Sequence, residues 1–352
     1  MKHFIAHKQP GQFCGWPANA GVWIWDSEIL VGFTLREYEE KPDKHSINLG
    51  AQPANVFARS GDAGNTWTVE QPDALSGQIE PTRCTGDIDF SHPDFCMTIR
   101  GGRFFLSYDR GRSWGGPFAL PSFGLIKLQS RTDYIATNNS SCLLFLTAVK
   151  PNGREGRPFC ARISDHGKTM EFLAWIAPEP TGYSIMPATV QIGKNVFVSA
   201  IRRHEGENDA QKNWLEVYRS GDEGQTWEFL AKPSADTGLH GGNPPSLARL
   251  SDGLLCLVYG RRRPPYGIQT VFSRDDGKTW SQEYIIRDDA RTWDIGYVRT
   301  VLRPDGKLLS LYYYATERNP EQHIAGTVWE PGEIEETLQP QHSNCCSRAM
   351  EN

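Results

Sequence analysis

"SGDAGNTW", residues 60–67, places a hydroxyl, a carboxylate, a glycine, a second hydroxyl and an indole within eight positions. The recipe returns as "SYDRGRSW" (107–114), "SGDEGQTW" (220–227) and "SRDDGKTW" (273–280), and in worn form as "ISDHGKTM" (163–170). The aspartates of these boxes, Asp62, Asp109, Asp165, Asp222 and Asp275, are 47, 56, 57 and 53 residues apart. Self-similarity at such a period, without helical patterning between copies, predicts a propeller of repeated sheets. Inside the box, glycine tolerates positive φ and the carboxylate and hydroxyls can accept backbone N–H bonds across a tight turn. The indole supplies a large apolar anchor. This chemistry predicts a hairpin turn with no catalytic role.

Between the boxes lies a second unit, two strand-like runs around a turn. It reads "VWIWDSEILVGF" (22–33), "YIATNNSSCLLFLTA" (134–148), "ATVQIGKNVFVSAI" (188–201), "SLARLSDGLLCLVYG" (246–260) and "TVLRPDGKLLSLYYY" (300–314). Asp252-Gly253 and Asp305-Gly306 are hairpin signals. The later copies place this turn about 30 residues after the box aspartate, by the hairpin-spacing logic of repeats. The same offset after Asp62 predicts a turn near "SHPD" (91–94), followed by "FCMTIRGGRFFLSY" as a compressed second blade. Each blade is then a hairpin A–B, a variable loop, and a hairpin C–D with the box at its tip. The expected fold is all-β, a six-bladed β-propeller in one domain over 1–335, with a tail over 336–352. "HIAGTVWEP" (323–331) is the expected outer strand of the sixth blade, and "HFIAHK" near the N-terminus the strand that closes the ring.

Composition narrows the function. A net charge of −5 with 22% charged residues offers no general field for nucleic acid or an anionic membrane surface. Mean hydropathy is −0.51, and no run reaches the roughly 18 apolar residues of a membrane span. The first residues lack an apolar leader, so a cytoplasmic location is expected. The eight cysteines lie at 14, 84, 96, 142, 160, 256, 345 and 346 without C-x-x-C spacing, and read as reduced core thiols. No metal-ligand spacing and no nucleotide motif is present, so no metal or cofactor is expected.

The boxes resemble the Asp-box (BNR) repeats of the sialidase superfamily of six-bladed propellers, and the likeness runs over nearly the whole chain. With the boxes at the bottom, the B–C loops and D–A connections share the top, where a pocket is expected. Those segments hold Arg36 to His45 of blade one, including Glu37, Glu39, Glu40 and Asp43. They also hold Arg131, Asp133 and Tyr134 of blade three, and Arg202, Arg203, His204, Glu205 and Glu207 of blade four. Blades five and six add His240, Asn243, Arg261 to Arg263, Trp293, Asp294, Tyr297 and Arg299. Arginines from several blades at one rim point to a carboxylate-bearing ligand, because guanidinium binds planar carboxylates in a fork.

The resemblance implies a tyrosine nucleophile, a glutamate partner, an aspartate acid/base and three arginines for the substrate carboxylate. Tyr297 matches the tyrosine and Asp43 the acid/base. Arg202 matches the second arginine, and one of Arg261 to Arg263 the third, with Arg261 and Arg263 taken as lining the pocket. The family's Arg-Ile-Pro motif is replaced by "GWPANAG" (15–21), and "YSIMPAT" (183–189) lacks the expected glutamate. Arg299 or Arg131 would stand in for the first arginine, and Glu205 or Glu207 for the glutamate. Asp133, Asn243, His240 and Asp294 complete the expected substrate contacts. The resulting expectation is a sialidase-like glycosidase acting on a sialic or uronic acid-containing glycan. The alternatives are a uronate-directed lyase, with His45, His204, His240 or Tyr297 as base, and a glycan-binding or protein-binding propeller without catalysis.

Overall fold

The computed structural model describes residues 1–76 and 79–336; the expected tail over 337–352 lies outside the described residues. Six sheets form a six-bladed β-propeller. Blade one contains Val22–Trp25, Glu28–Glu37, Ala54–Ser60 and Thr68–Glu70, with Gln12–Gly15 paired to the far end of Glu28–Glu37. Blade three is Tyr134–Asn138, Ser141–Val149, Glu155–Ser164 and Thr169–Trp175. Blade four is Tyr183–Gly193, Val196–Glu205, Lys212–Ser220 and Glu228–Ser234. Blade five is Ser246–Arg249, Leu255–Arg261, Gly267–Ser273 and Tyr284–Arg287.

Blade six shows how the ring is closed. Its order is Gly296–Leu302, Leu308–Tyr314, His323–Trp329 and then Lys2–His7, so the N-terminal strand is outermost and the 323–329 strand is third. Pairing antiparallel to His323–Trp329, it covers an edge that would otherwise present unpaired N–H and C=O groups. No helix among the described residues is long and apolar enough to cross a membrane. Cys14, Cys84, Cys96, Cys142, Cys160 and Cys256 are buried, and no disulfide joins the described cysteines.

The box turn has the same construction in its four clean copies. In the first, Asp62 Oδ1 accepts the Ser60 hydroxyl (2.8 Å) and the N–H groups of Asn65 (3.0 Å) and Thr66 (2.8 Å). Its Oδ2 accepts the Thr66 hydroxyl (2.7 Å). The Trp67 indole N–H then donates to the carbonyl of Gly64 (3.1 Å), a residue at φ +92. Asp109, Asp222 and Asp275 repeat the Oδ1/Oδ2 division.

The turn also faces the preceding blade. A Cβ on Gly111 would lie 2.4 Å from Leu30 of blade one, and one on Gly224 would lie 2.6 Å from Cys160 of blade three. Trp114 stacks on Phe57 at 5.2 Å and 8°, and Trp67 on Phe4 at 6.3 Å and 16°. Trp227 meets Phe145 edge-on at 6.1 Å. Blade six has no box; there Trp329, fully buried, reaches Phe272 of blade five instead. In the worn copy the segment ahead of blade two substitutes for the indole: Ile88 and Cys84 crowd Gly167, and His166 Nδ1 contacts the Ile88 carbonyl at 3.0 Å.

Blade two departs from the expected layout. It has three strands, Cys96–Arg100, Arg103–Ser107 and Gly115–Ala119, the first two joined by a tight turn at Gly101-Gly102. The expected turn over 91–94 is present, closed by the Phe95 N–H on the His92 carbonyl (3.0 Å), but among the described residues no inner strand descends to it. Thr82 bridges Phe118 in parallel, so the chain lies along the outer edge of the blade before entering it from below.

Two outcomes test this account. Asp222→Ala strips at least three hydrogen bonds from one turn and should cost about 1–3 kcal/mol in denaturant unfolding, the price of unsatisfied turn donors. The carboxylates of the four clean boxes, Asp62, Asp109, Asp222 and Asp275, sit below the ordinary aspartate range, Asp62 at about 2, first through the Thr66 hydroxyl and backbone N–H. Their contribution is therefore present above about pH 4 and lost as pH falls towards 2. Thermal melts of Asp62→Asn should show a shallower acid decline than those of the unmodified chain.

Candidate functional site

The top ends of blades three to six and the first B–C loop converge on Tyr297. Tyr297 opens the inner strand of blade six at a bulge, with φ +50, a conformation that a non-glycine residue adopts only when its surroundings impose it. Asn243 imposes it. Its Oδ1 accepts the Tyr297 N–H (2.8 Å) while its Nδ2 donates to the Ile295 carbonyl (2.8 Å). Trp16, Met186 and His240, all near this pocket, are also non-glycine residues with positive φ.

Arg202 arrives from strand Val196–Glu205. Strand alternation sends Arg202 and His204 to one side and Arg203 and Glu205 to the other. Arg202 donates to the Tyr297 hydroxyl (3.3 Å), the Tyr183 hydroxyl (3.1 Å) and the Gly241 carbonyl (2.7 Å). Arg262 arrives from blade five, with its Cζ 5.6 Å from the Tyr297 ring and 5.1 Å from the Trp293 ring. It donates to the Tyr313 hydroxyl (2.8 Å) and the His240 carbonyl (3.0 Å). Its backbone is bridged to Gly238, where a Cβ would lie 2.2 Å from the Arg262 carbonyl carbon, so only glycine permits this approach. Among the described residues neither Arg202 nor Arg262 forms an ion pair. Burial would raise the Tyr297 phenol, but Arg202, Arg262 and Arg131 draw it below its ordinary value.

Arg131 holds Glu155 in a two-pronged ion pair, Nη1 to Oε1 and Nη2 to Oε2. Its charge is felt at Tyr297, and that of Glu155 at Arg202. Deeper along the axis, Asp133 and Arg299 line a narrow channel with Ala18, Met186 and Phe145. Arg299 donates to the carbonyls of Ala18 (2.6 Å) and Thr132. Asp133 keeps part of its surface open to the channel, but the protein atoms packed around its carboxyl dominate its surroundings. Desolvation raises its carboxyl to about 7 despite Arg299 and the Thr189 hydroxyl.

A second cluster flanks Arg262. Asp294, 1% exposed, receives the Tyr313 hydroxyl (2.7 Å) and the Ser46 N–H (3.1 Å), and lies 2.6 Å from His45 Nδ1. Burial opposes its ionisation, yet His45, Arg262 and Tyr313 hold it below the ordinary carboxylate range. His240 stacks face to face on Trp293 at 3.8 Å.

Several sequence expectations change here. Arg261 and Arg263 do not line the pocket: Arg261 lies on its own loop against the Pro264 carbonyl, and Arg263 pairs with Asp236 on the exposed rim (3.0 Å). Arg262, between them, is the inward residue because alternation allows only one of the three to face Tyr297. Glu205 faces away with Arg203 (3.6 Å), and Glu207 is an exposed partner of Arg154 (3.8 Å). The carboxylate beside the arginines is Glu155, which no motif marked. Asp43 is exposed at the mouth, where its charge reaches His240, and no hydrogen bond fixes it. Asn243 and Asp294 are sealed behind the pocket and hold its walls in place. Where a glutamate was expected, Met186 puts its sulfur 4.0 Å from Arg202.

No protein-family model matches the chain, and no curated protein matches it. Solved structures do. A protein of unknown function from Dyadobacter fermentans aligns with a TM-score of 0.71 at 20% identity, over 93% of this chain and 97% of that one. The K499G mutant of the NanB sialidase from Streptococcus pneumoniae aligns at 0.61 and 13%, over 90% and 68%. The Penicillium chrysogenum α-L-arabinanase complexed with arabinobiose aligns at 0.55 and 11%, over 90% and 97%. At these identities the likeness is one of fold, a six-bladed propeller shared with glycoside hydrolases.

The raised Asp133 carboxyl gives a test of the channel. An ordinary unfolded aspartate titrates near 3.9, roughly three units lower. Stability from the protonated form is complete below about pH 4 and declines as pH rises through 7. Asp133→Asn should remove most of that decline when melting temperatures at pH 4.5 and 8 are compared.

Proposed function

We propose that the top-face pocket is the active site of a glycosidase that acts on a glycan bearing a carboxylate sugar, a sialic or uronic acid. The carrying observation is the pair of buried guanidinium groups, Arg202 and Arg262, that flank the Tyr297 phenol without any carboxylate partner. Burying an unpaired charge is costly, and an anionic ligand group relieves the cost. In this reading Arg202 and Arg262 grip the sugar carboxylate, and Arg131, steadied by Glu155, adds positive potential. Tyr297 attacks the anomeric carbon while the bond to the leaving oxygen breaks, and water then releases the sugar. The low-lying phenol supports the nucleophile role, since a larger phenolate fraction forms near neutrality.

A lyase is the second reading. It is favoured by the same phenol standing with arginines that neutralise a uronate carboxylate, which acidifies the adjacent C–H bond. Ultraviolet absorbance of an unsaturated product distinguishes elimination from hydrolysis.

The test is a panel of sialosides, uronosides and acidic polysaccharides. Arg202→Ala should raise KM roughly 10- to 100-fold, the worth of charge-assisted hydrogen bonds. Tyr297→Phe should lower kcat at least about 100-fold with little change in KM. Equal turnover by both variants and the unmodified chain rejects the site.

A further inference from the structure

We infer that His45, oriented by Asp294, is the group that exchanges a proton with the glycosidic oxygen in this pocket, in place of Asp43. The inference rests on the glycosidase reading above and assigns its acid/base.

The two candidates differ in how they are held. Asp43 is exposed on the first B–C loop, and no hydrogen bond or ion pair from a described residue directs its carboxylate. His45, two residues on, is fixed on three sides. Its Nδ1 lies 2.6 Å from Asp294 Oδ1, its ring meets Trp16 edge-on at 5.2 Å, and Trp293 packs against it at 5.6 Å. Asp294 is itself immobile, bonded to the Tyr313 hydroxyl, the Ser46 N–H and Gln322 Nε2 (3.3 Å). An ionised acceptor at Nδ1 makes that nitrogen the donor and leaves Nε2 as the working atom, which no described residue engages. The ring remains about one-third exposed. This is the arrangement by which a buried carboxylate sets an imidazole's tautomer and orientation.

The dyad is also joined to the proposed nucleophile. Tyr313 donates to Asp294, accepts from Arg262 Nη2, and lies edge-on to the Tyr297 ring at 5.9 Å. Arg262 thus stands between Tyr297 and the wall formed by Trp293, His240 and His45. In the first step the Tyr297 phenolate bonds to the anomeric carbon. The C–O bond breaks, and the proton on Nε2 passes to the departing oxygen. In the second, Nε2 takes a proton from the attacking water, whose oxygen replaces the phenolate. Asp294 is a positioning residue and does not exchange a proton. The charged groups facing His45 are Asp294 from the entry to blade six, His240 and Arg262 from blade five, and Asp43 on its own loop.

The experiment compares leaving groups. Probes are the 4-methylumbelliferyl glycosides of N-acetylneuraminic and glucuronic acids, and disaccharides in which the same sugars leave from a sugar alcohol oxygen. An aryl oxide leaves without protonation, whereas an alcohol needs the acid. His45→Gln should therefore lose at least about 100-fold in kcat/KM on the disaccharide, and at least tenfold less on the aryl glycoside. Asp294→Asn should lower kcat selectively on the disaccharide with KM little changed, because the ring loses the acceptor that fixes its orientation and tautomer. A protein merely unfolded by that change would lose both probes equally, and the melting temperature reports it directly. A selective disaccharide loss in Asp43→Ala but not in His45→Gln overturns the inference while leaving the glycosidase reading intact. Equal losses on both probes in a folded His45→Gln overturn it likewise. Failure of the unmodified chain to turn over any probe overturns both.

Discussion

The structure depends on one contact repeated around a ring: a box aspartate closing a turn tightly enough for its glycine and indole to bear on the blade before it. A β-sheet with two open edges cannot bury a core alone, so each blade needs a neighbour at a defined angle. The carboxylate satisfies the turn's backbone donors internally, which lets the turn pack against the preceding sheet without stray polar groups. The ring tolerates two substitutes. Ile88 and Cys84 serve where the third box has lost its indole, and Trp329 serves blade six, which has no box. What matters is the apolar contact with the neighbouring blade, and the motif is one way of making it.

Because every box lies at the bottom, the loops free to vary lie at the top, and the pocket's character follows. Arg202, Arg262 and Arg131 come from three blades and act on one phenol. Such convergence of like charge opposes folding: Arg131 is paired with Glu155, while Arg202 and Arg262 are held by neutral acceptors, the carbonyls of Gly241, His240 and Ile295 and the hydroxyls of Tyr183 and Tyr313. These neutral partners leave the charge uncompensated at the point where a ligand would meet it. The positive φ values of Tyr297, Met186, His240 and Trp16 add local strain of the kind stored at functional sites.

The repeat made most of the fold legible, since a periodic turn signal sets both the number of blades and their vertical sense. In blade two it found the turn at "SHPD" but promised an inner strand ahead of it, where the chain instead runs along the outer edge of the blade. In the site, Tyr297, Arg202 and the top-face location were legible by position along their strands. Arg262 against Arg261 and Arg263, and the outward turn of Glu205, hinge on strand parity, and a single-residue error in a strand's end reverses the answer. Glu155 carried no signal, because its meaning is its partner, 24 positions earlier in sequence, in the connection that leads into blade three.

The amino-acid sequence by itself determined the six-bladed ring and which loops share its mouth, because turn chemistry and period-two alternation are local properties of the chain. Only the tertiary structure decided which side chains meet at that mouth. The pairing of Arg131 with Glu155 inside one blade, of Arg262 with Tyr313 between neighbouring blades and of His45 with Asp294 across the closure of the ring depends on packing, where burial and charge act across space and sequence order has no bearing.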